Sequence, residues 1–202
     1  MRIAVYDDHR VGIVRADGTL ANITDLLQQY HPLDPSDLVP DLITHFDQLR
    51  PQLEQRAAAG AGIPLDRVRL RSPLIRPSKI ICLMGNYREG TDRPPQTIDF
   101  FFKSPEAIVG PGDTVVLPPH SATIFHHEAE LAVVIGREAK DVSEAEAMDV
   151  VFGYTAFNDI SARGLGLPGI SSFLGKSFDT FAPFGPWIVT RDEIPDPYAL
   201  QV

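Results

Sequence analysis

The run His126-His127-Glu128-Ala129-Glu130-Leu131-Ala132-Val133-Val134-Ile135-Gly136 constrains this chain more than any other stretch, because it reads as an apolar strand with two carboxylates at its mouth. Alternate side chains of a strand share a face, so Glu128 and Glu130 point one way while Ala129, Leu131, Val133 and Ile135 point the other. Two like charges held together and partly removed from water push at least one carboxyl toward its protonated form, unless a cation or basic side chain stands beside them. A solvated edge pair is the ordinary use of this spacing. A hard divalent metal is the other solution. The neighbouring His126 and His127 do not turn it into a zinc site, since adjacent strand residues face opposite ways and cannot easily reach one ion.

The chain is 202 residues long and 44% hydrophobic, enough to bury a core in one domain with an appendage or in two small domains. Its formal net charge of -9, with no block of Lys or Arg, argues against a nucleic-acid partner and for a small molecule. An anionic substrate is compatible with that charge if a metal and a few local cations reverse the sign inside one cleft. The single cysteine, Cys82, excludes disulfides within the chain and lies in the apolar pattern Lys79–Met84, where it reads as a small core hydrophobe. No apolar run approaches the roughly 20 residues of a membrane span, and the N-terminus has no secretory pattern. The expectation is a cytoplasmic protein with no membrane partner.

Residues 2–6 and 11–15 read as short strands, with Asp17-Gly18 as the following turn. Leu42, Ile43, Phe46, Leu49 and Leu53 have helical spacing, closed by Gly60, and Pro51 predicts a kink or split. The two prolines of residues 71–78 mark a linker, so a small α+β N-terminal domain is expected over 1–70 and a second unit over 79–202. That second unit is strand-dominated: Lys79–Met84, Phe100–Lys103, Thr114–Leu117, Glu128–Ile135, Val151–Phe157 and Trp187–Thr190 all read as strands. Ser143 and Glu146 form a plausible capping box for a short helix, and residues 161–175 form a glycine-rich loop. The class is mixed and β-rich.

Asp159 follows an apolar strand and offers a third oxygen ligand. Glu128, Glu130 and Asp159 together suit Mg²⁺, Mn²⁺ or Ca²⁺, which prefer hard oxygen donors. Lys176, in Gly175-Lys176-Ser177-Phe178-Asp179, would offset the surplus negative charge and hydrogen-bond a substrate. Arg163, by itself, reads as a salt-bridge partner.

The order of the segments says more than any one of them. Lys79–Tyr87, Phe101-Phe102-Lys103-Ser104-Pro105, Gly110-Pro111-Gly112-Asp113, His127-Glu128-Ala129-Glu130-Leu131, Gly153-Tyr154-Thr155, Asn158–Arg163, Gly175–Asp179 and Gly185-Pro186-Trp187 resemble, in that order, the fumarylacetoacetate hydrolase family. Residues 1–70 resemble the smaller N-terminal domain of many bacterial members. The resemblance implies a β-sandwich or β-roll catalytic domain over 79–202, with a Mg²⁺ or Mn²⁺ site at Glu128, Glu130 and Asp159. Lys176 is implied as the catalytic cation beside the substrate carbonyl, with Tyr87 and Arg163 binding substrate. It further implies hydrolysis of a C–C bond in a small 2-oxo or β-diketo acid through a metal-bound enolate, in a homodimer. Decarboxylation, isomerisation or hydration of a related 2-oxo acid is the alternative, as is a catalytically silent metal-binding relative. The family's lid histidine has no counterpart between Tyr87 and His120, which leaves Glu89 as the substitute base. The pattern also continues past Val202, so the catalytic domain is expected to lack its C-terminal part and to expose strand edges and apolar surface.

Overall fold

The structure, a computed structural model, describes residues 1–86, 97, 99–119, 122–165 and 172–201. Tyr87 and Glu89 lie outside them. The chain opens as an antiparallel meander of β1 (Arg2–Tyr6), β2 (Arg10–Val14) and β3 (Thr19–Asn22). Gly18, at φ 77°, takes the left-handed position of the β2–β3 turn, and the Thr19 N–H donates to Asp17 Oδ1 at 3.0 Å to close it. Alternation sorts β1 cleanly. Ile3 and Val5 face three helices, α1 (Thr24–Leu27), α2 (Leu38–Thr44) and α3 (Phe46–Ala58), while Ala4 and Tyr6 join Val14 and Leu20 on the other side.

The helical segment breaks at His45, upstream of Pro51. His45 ends α2 by donating to Asp41 O, and its own carbonyl accepts from Gln48 and Leu49 to start α3. Pro51 therefore falls early in α3, on an exposed position, where its missing N–H removes one bond near the helix start.

Two short strands follow, β4 (Ile63–Pro64) beside β3 and β5 (Leu70–Arg71) beside β1. Next, β6 (Ile80–Met84) and β7 (Asp99–Lys103) form an antiparallel pair, and β8 (Ile108–Val109) comes after them. The remaining elements are β9 (Ile124–His126), β10 (Ala129–Ile135), β11 (Val151–Asn158), β12 (Ser161–Arg163), α4 (Ser172–Lys176) and β13 (Ala182–Thr190). The main sheet runs β10-β11-β13-β1-β2-β3-β4.

Its central junction is β1 against β13, with Ile3 opposite Ile188. One buried cluster accordingly joins Ile3, Val5, Leu42, Phe46 and Leu53 from the first 70 residues to Val134 and Ile188 from residues 79–202. The fold is β-rich with minor helices, as the sequence predicts. Three segments differ in detail. Thr114–Leu117 forms no ladder, because the Val116 N–H donates to the Thr180 hydroxyl at 2.8 Å instead of to a strand carbonyl. Residues 144–150 are 3₁₀ rather than α-helical. The glycine-rich stretch contains β12, paired with β9, and its end is the short helix α4 that carries Lys176.

Strands β6, β7 and β10 carry apolar side chains on their outer faces. Ile81 lies opposite Phe102 and Leu83 opposite Phe100 on β6–β7, and all four are exposed, as are Val133 and Ile135 on the edge strand β10. On the inner side, Cys82, Phe101 and Lys103 are buried.

Candidate active site

The antiparallel register of β10 and β11 builds the centre. Ala129 sits opposite Asn158, so the residue before β10 and the residue after β11, Glu128 and Asp159, are neighbours. Backbone bonds fix them: the Asp159 N–H donates to Glu128 O at 2.8 Å, and the Glu128 N–H donates to Asn158 Oδ1 at 3.1 Å. Across from them, α4 lies against β7 and β12 and delivers Lys176.

Lys176 Nζ donates to Glu128 Oε2 at 2.8 Å and to Asp159 Oδ2. It also stands 4.8 Å from the centroid of the Phe101 ring, whose face favours a cation. Glu128 Oε1 accepts from Arg163 at 2.9 Å and from Ser161 Oγ at 3.2 Å. Burial would raise the Glu128 carboxyl, but the bond from Lys176, and then those from Arg163 and Ser161, outweigh it and hold the group below its ordinary value. Asp159 is almost wholly enclosed, with a second ammonium on its far side: Lys103 Nζ donates to Asp159 Oδ1 at 2.6 Å.

Glu130 is in the opposite condition. Burial first, then the charges of Asp159 and Glu128, push its carboxyl up to about 7 against the pull of Lys176 and Lys103. One of its oxygens, one of Asp159 and the Cys82 sulfur lie within 4.8 Å of one another. Glu128 falls outside this group and joins the centre through Lys176. Cys82 brings no anionic sulfur, because burial and then Asp159 and Glu130 push its thiol up to about 12. The donor set is therefore carboxylate oxygen, which fits Mg²⁺ or Mn²⁺ better than zinc. The raised Glu130 marks a spot where negative charge is under-compensated, and a divalent cation held there would relieve it. His126 Nδ1 lies 4.0 Å from Glu128 Oε1 on a side chain that is 53% exposed, outside the buried carboxylates.

Glu128, Glu130, Asp159, Lys176 and Arg163 thus converge, while Tyr87 and Glu89 lie outside the described residues. Lys103 is a member that sequence reasoning passed over. The signal was its phase: in Asp99–Lys103 it alternates with Phe101 onto the inward face, where an unpaired lysine would be intolerable.

Residues 79–202 match the family described as fumarylacetoacetate (FAA) hydrolase, C-terminal. A mitochondrial oxaloacetate tautomerase of Bos taurus is 41% identical over 146 residues, which cover 69% of this chain and 46% of the relative. The chain thus spans about half the length of the curated relatives it matches. Maleylpyruvate hydrolase from Sphingobium sp. SYK-6, solved with manganese(II) and pyruvate, superposes with a TM-score of 0.82 at 36% identity, over 98% of this chain and 70% of that one. A probable 2-hydroxyhepta-2,4-diene-1,7-dioate isomerase from Mycobacterium abscessus gives a TM-score of 0.75 at 30% identity, over 94% and 64%. No described helix is long and apolar enough to cross a membrane. With more than half of its residues in the family match and nearly its whole length in one superposition, the chain belongs to the fumarylacetoacetate hydrolase family.

Proposed function

We propose that this chain forms the core of a divalent-metal enzyme that draws a small 2-oxo acid into its enolate. The observation that carries this reading is the cluster in which Lys176 bridges Glu128 and Asp159 while an oxygen of Glu130 lies within 4.8 Å of one of Asp159. Glu128, Glu130 and Asp159 are assigned as the ligands, for Mg²⁺ or Mn²⁺. The ion, when bound, supplies a Lewis acid that polarises the 2-oxo carbonyl.

The chain's own residues supply the rest. Lys176 holds a proton at Nζ, in a largely dry position above Phe101, and presents it to the oxygen where charge develops. Arg163 is about half exposed and beside Glu128, placed to meet a substrate carboxylate arriving from solvent. These residues serve the oxygen side of keto–enol tautomerisation of an oxaloacetate-like acid, the activity named for the bovine relative, a reaction that also requires a base to take the proton from the adjacent carbon.

Hydrolysis of a C–C bond in a β-diketo acid is the second reading, favoured by the likeness to maleylpyruvate hydrolase. It shares the enolate, here as the departing group, but needs in addition a base that activates water. No histidine occurs between Tyr87 and His120, so that role falls to Glu89.

The test is a panel of oxaloacetate and acylpyruvates assayed with Mn²⁺ and with EDTA. Metal-dependent loss of the enol of oxaloacetate without cleavage supports tautomerisation. Acylpyruvate cleavage that Glu89→Gln abolishes supports hydrolysis. Turnover unaffected by EDTA refutes the metal reading altogether.

A further inference from the structure

Lys103 takes no part in the proton chemistry above, yet its side chain is 0% exposed and bonded on two sides. Its Nζ donates to Asp159 Oδ1 at 2.6 Å and to Ile160 O at 3.1 Å. The following residue continues the attachment: the Ser104 N–H donates to Ser177 Oγ at 3.0 Å, tying the end of β7 to the residue after Lys176. The strand register behind Lys103 is set by its pairing with Ile80.

A carboxylate can turn about its last side-chain bond and offer either oxygen, or both, to a cation. Here one oxygen of Asp159 is taken by an ammonium that is itself anchored to the next residue's carbonyl, so the carboxylate cannot turn without breaking a buried charge-assisted bond. The other oxygen is thereby left to Lys176, the ammonium that also holds Glu128.

We propose that Lys103 is a positioning residue: by clamping Oδ1 of Asp159 from behind, it presents Oδ2 to the centre and sets how tightly that centre holds a divalent ion. The inference rests on the metal reading given above. It opposes what charge alone would do. Removing Lys103 makes the centre more negative by one unit, which on Coulomb grounds tightens binding of a cation, whereas losing the clamp weakens it.

The experiment is a Mn²⁺ titration followed by the electron paramagnetic resonance of the free ion, on the wild type, Lys103→Met and Lys103→Gln, each confirmed folded by circular dichroism. Positioning predicts a Mn²⁺ Kd raised about 10–100-fold in Lys103→Met, with partial recovery in Lys103→Gln, which keeps an N–H donor. Should Lys103→Met fail to fold, Lys103→Gln decides, with an intermediate weakening expected. An unchanged or tighter Kd in the folded variant overturns the proposal. A wild type that binds no Mn²⁺ overturns the metal reading itself, so the two failures are told apart.

Discussion

Gly175→Ala tests the placement of Lys176 without touching its charge. A Cβ at position 175 would stand 2.5 Å from the carbonyl oxygen of Ala162, well inside the 3.4 Å at which ordinary contact begins. The obstacle is backbone, and it belongs to β12, which is paired along Ser161–Arg163 with β9 and cannot step aside cheaply. The helix α4 must instead recede by roughly 0.5–1 Å, an overpacking response that costs about 1–3 kcal/mol. At about 2–4 °C per kcal/mol for a chain of this size, melting should fall by about 2–12 °C.

The functional effect should exceed the stability effect. Lys176 reaches Glu128 Oε2 at 2.8 Å, and a retreat of that order carries the bond past the roughly 3.2 Å limit of a good N–H···O contact. A misplacement near 1 Å at a reacting group lowers a rate about 100-fold. Turnover of oxaloacetate and acylpyruvates by Gly175→Ala should therefore approach that of Lys176→Met, while circular dichroism below the melting transition stays that of the wild type. A variant that melts and turns over like the wild type would show that α4 tolerates the methyl group and that Lys176 is not held where the argument needs it.

The acid–base state of Glu130 is accessible through pH. A carboxyl raised from 4.5 to about 7 contributes stability that is whole below pH 4.5 and lost as pH rises through 7. The nominal ~3 kcal/mol for such a shift shrinks to about 1–2 kcal/mol for a partly solvated group. Urea unfolding of EDTA-treated protein should then show the wild type losing about 1 kcal/mol relative to Glu130→Gln between pH 5 and 7; parallel pH profiles would refute the shift. Ile188→Ala empties a fully buried position opposite Ile3 and should lower stability by about 2–5 kcal/mol. Because the cluster is shared, residues 1–70 and β10–β13 should unfold in one transition, and two resolved transitions would contradict that. Arg163→Ala removes a guanidinium that is 45% exposed, so stability should change by less than about 1 kcal/mol; KM should rise more than kcat falls if Arg163 receives a substrate carboxylate.

Short apolar runs bounded by turn or polar residues made β1, β2, β6, β7, β10 and β11 legible. Pairing was a different matter. Nothing local in Ile124–His126 or Ser161–Arg163 announces that they meet, and Arg2 lies opposite Val189 across almost the whole chain. The segment Thr114–Leu117 has strand composition but is followed by Pro118 and Pro119, which have no N–H to donate. Composition reports what a strand would tolerate; a ladder also needs a partner with free carbonyls.

The centre shows the same limit at the level of charge. In the sequence, Glu128 and Glu130 are an equivalent pair, two residues apart on one face. The fold makes them unequal, because β10 starts at Ala129 and leaves Glu128 in the approach to the strand, within reach of Lys176, Arg163 and Ser161. Glu130 lies one step further in, where burial and the charge of Asp159 act on it and, among the described residues, no hydrogen bond contributes to holding it ionised. One carboxylate is thereby fixed as an anion and the other is poised near neutrality. That inequality follows from where the ladder begins, set by the Asp159 N–H bonding to Glu128 O. Under the proposed metal reading, a centre with one committed and one responsive carboxylate would release a proton from Glu130 as a divalent cation binds.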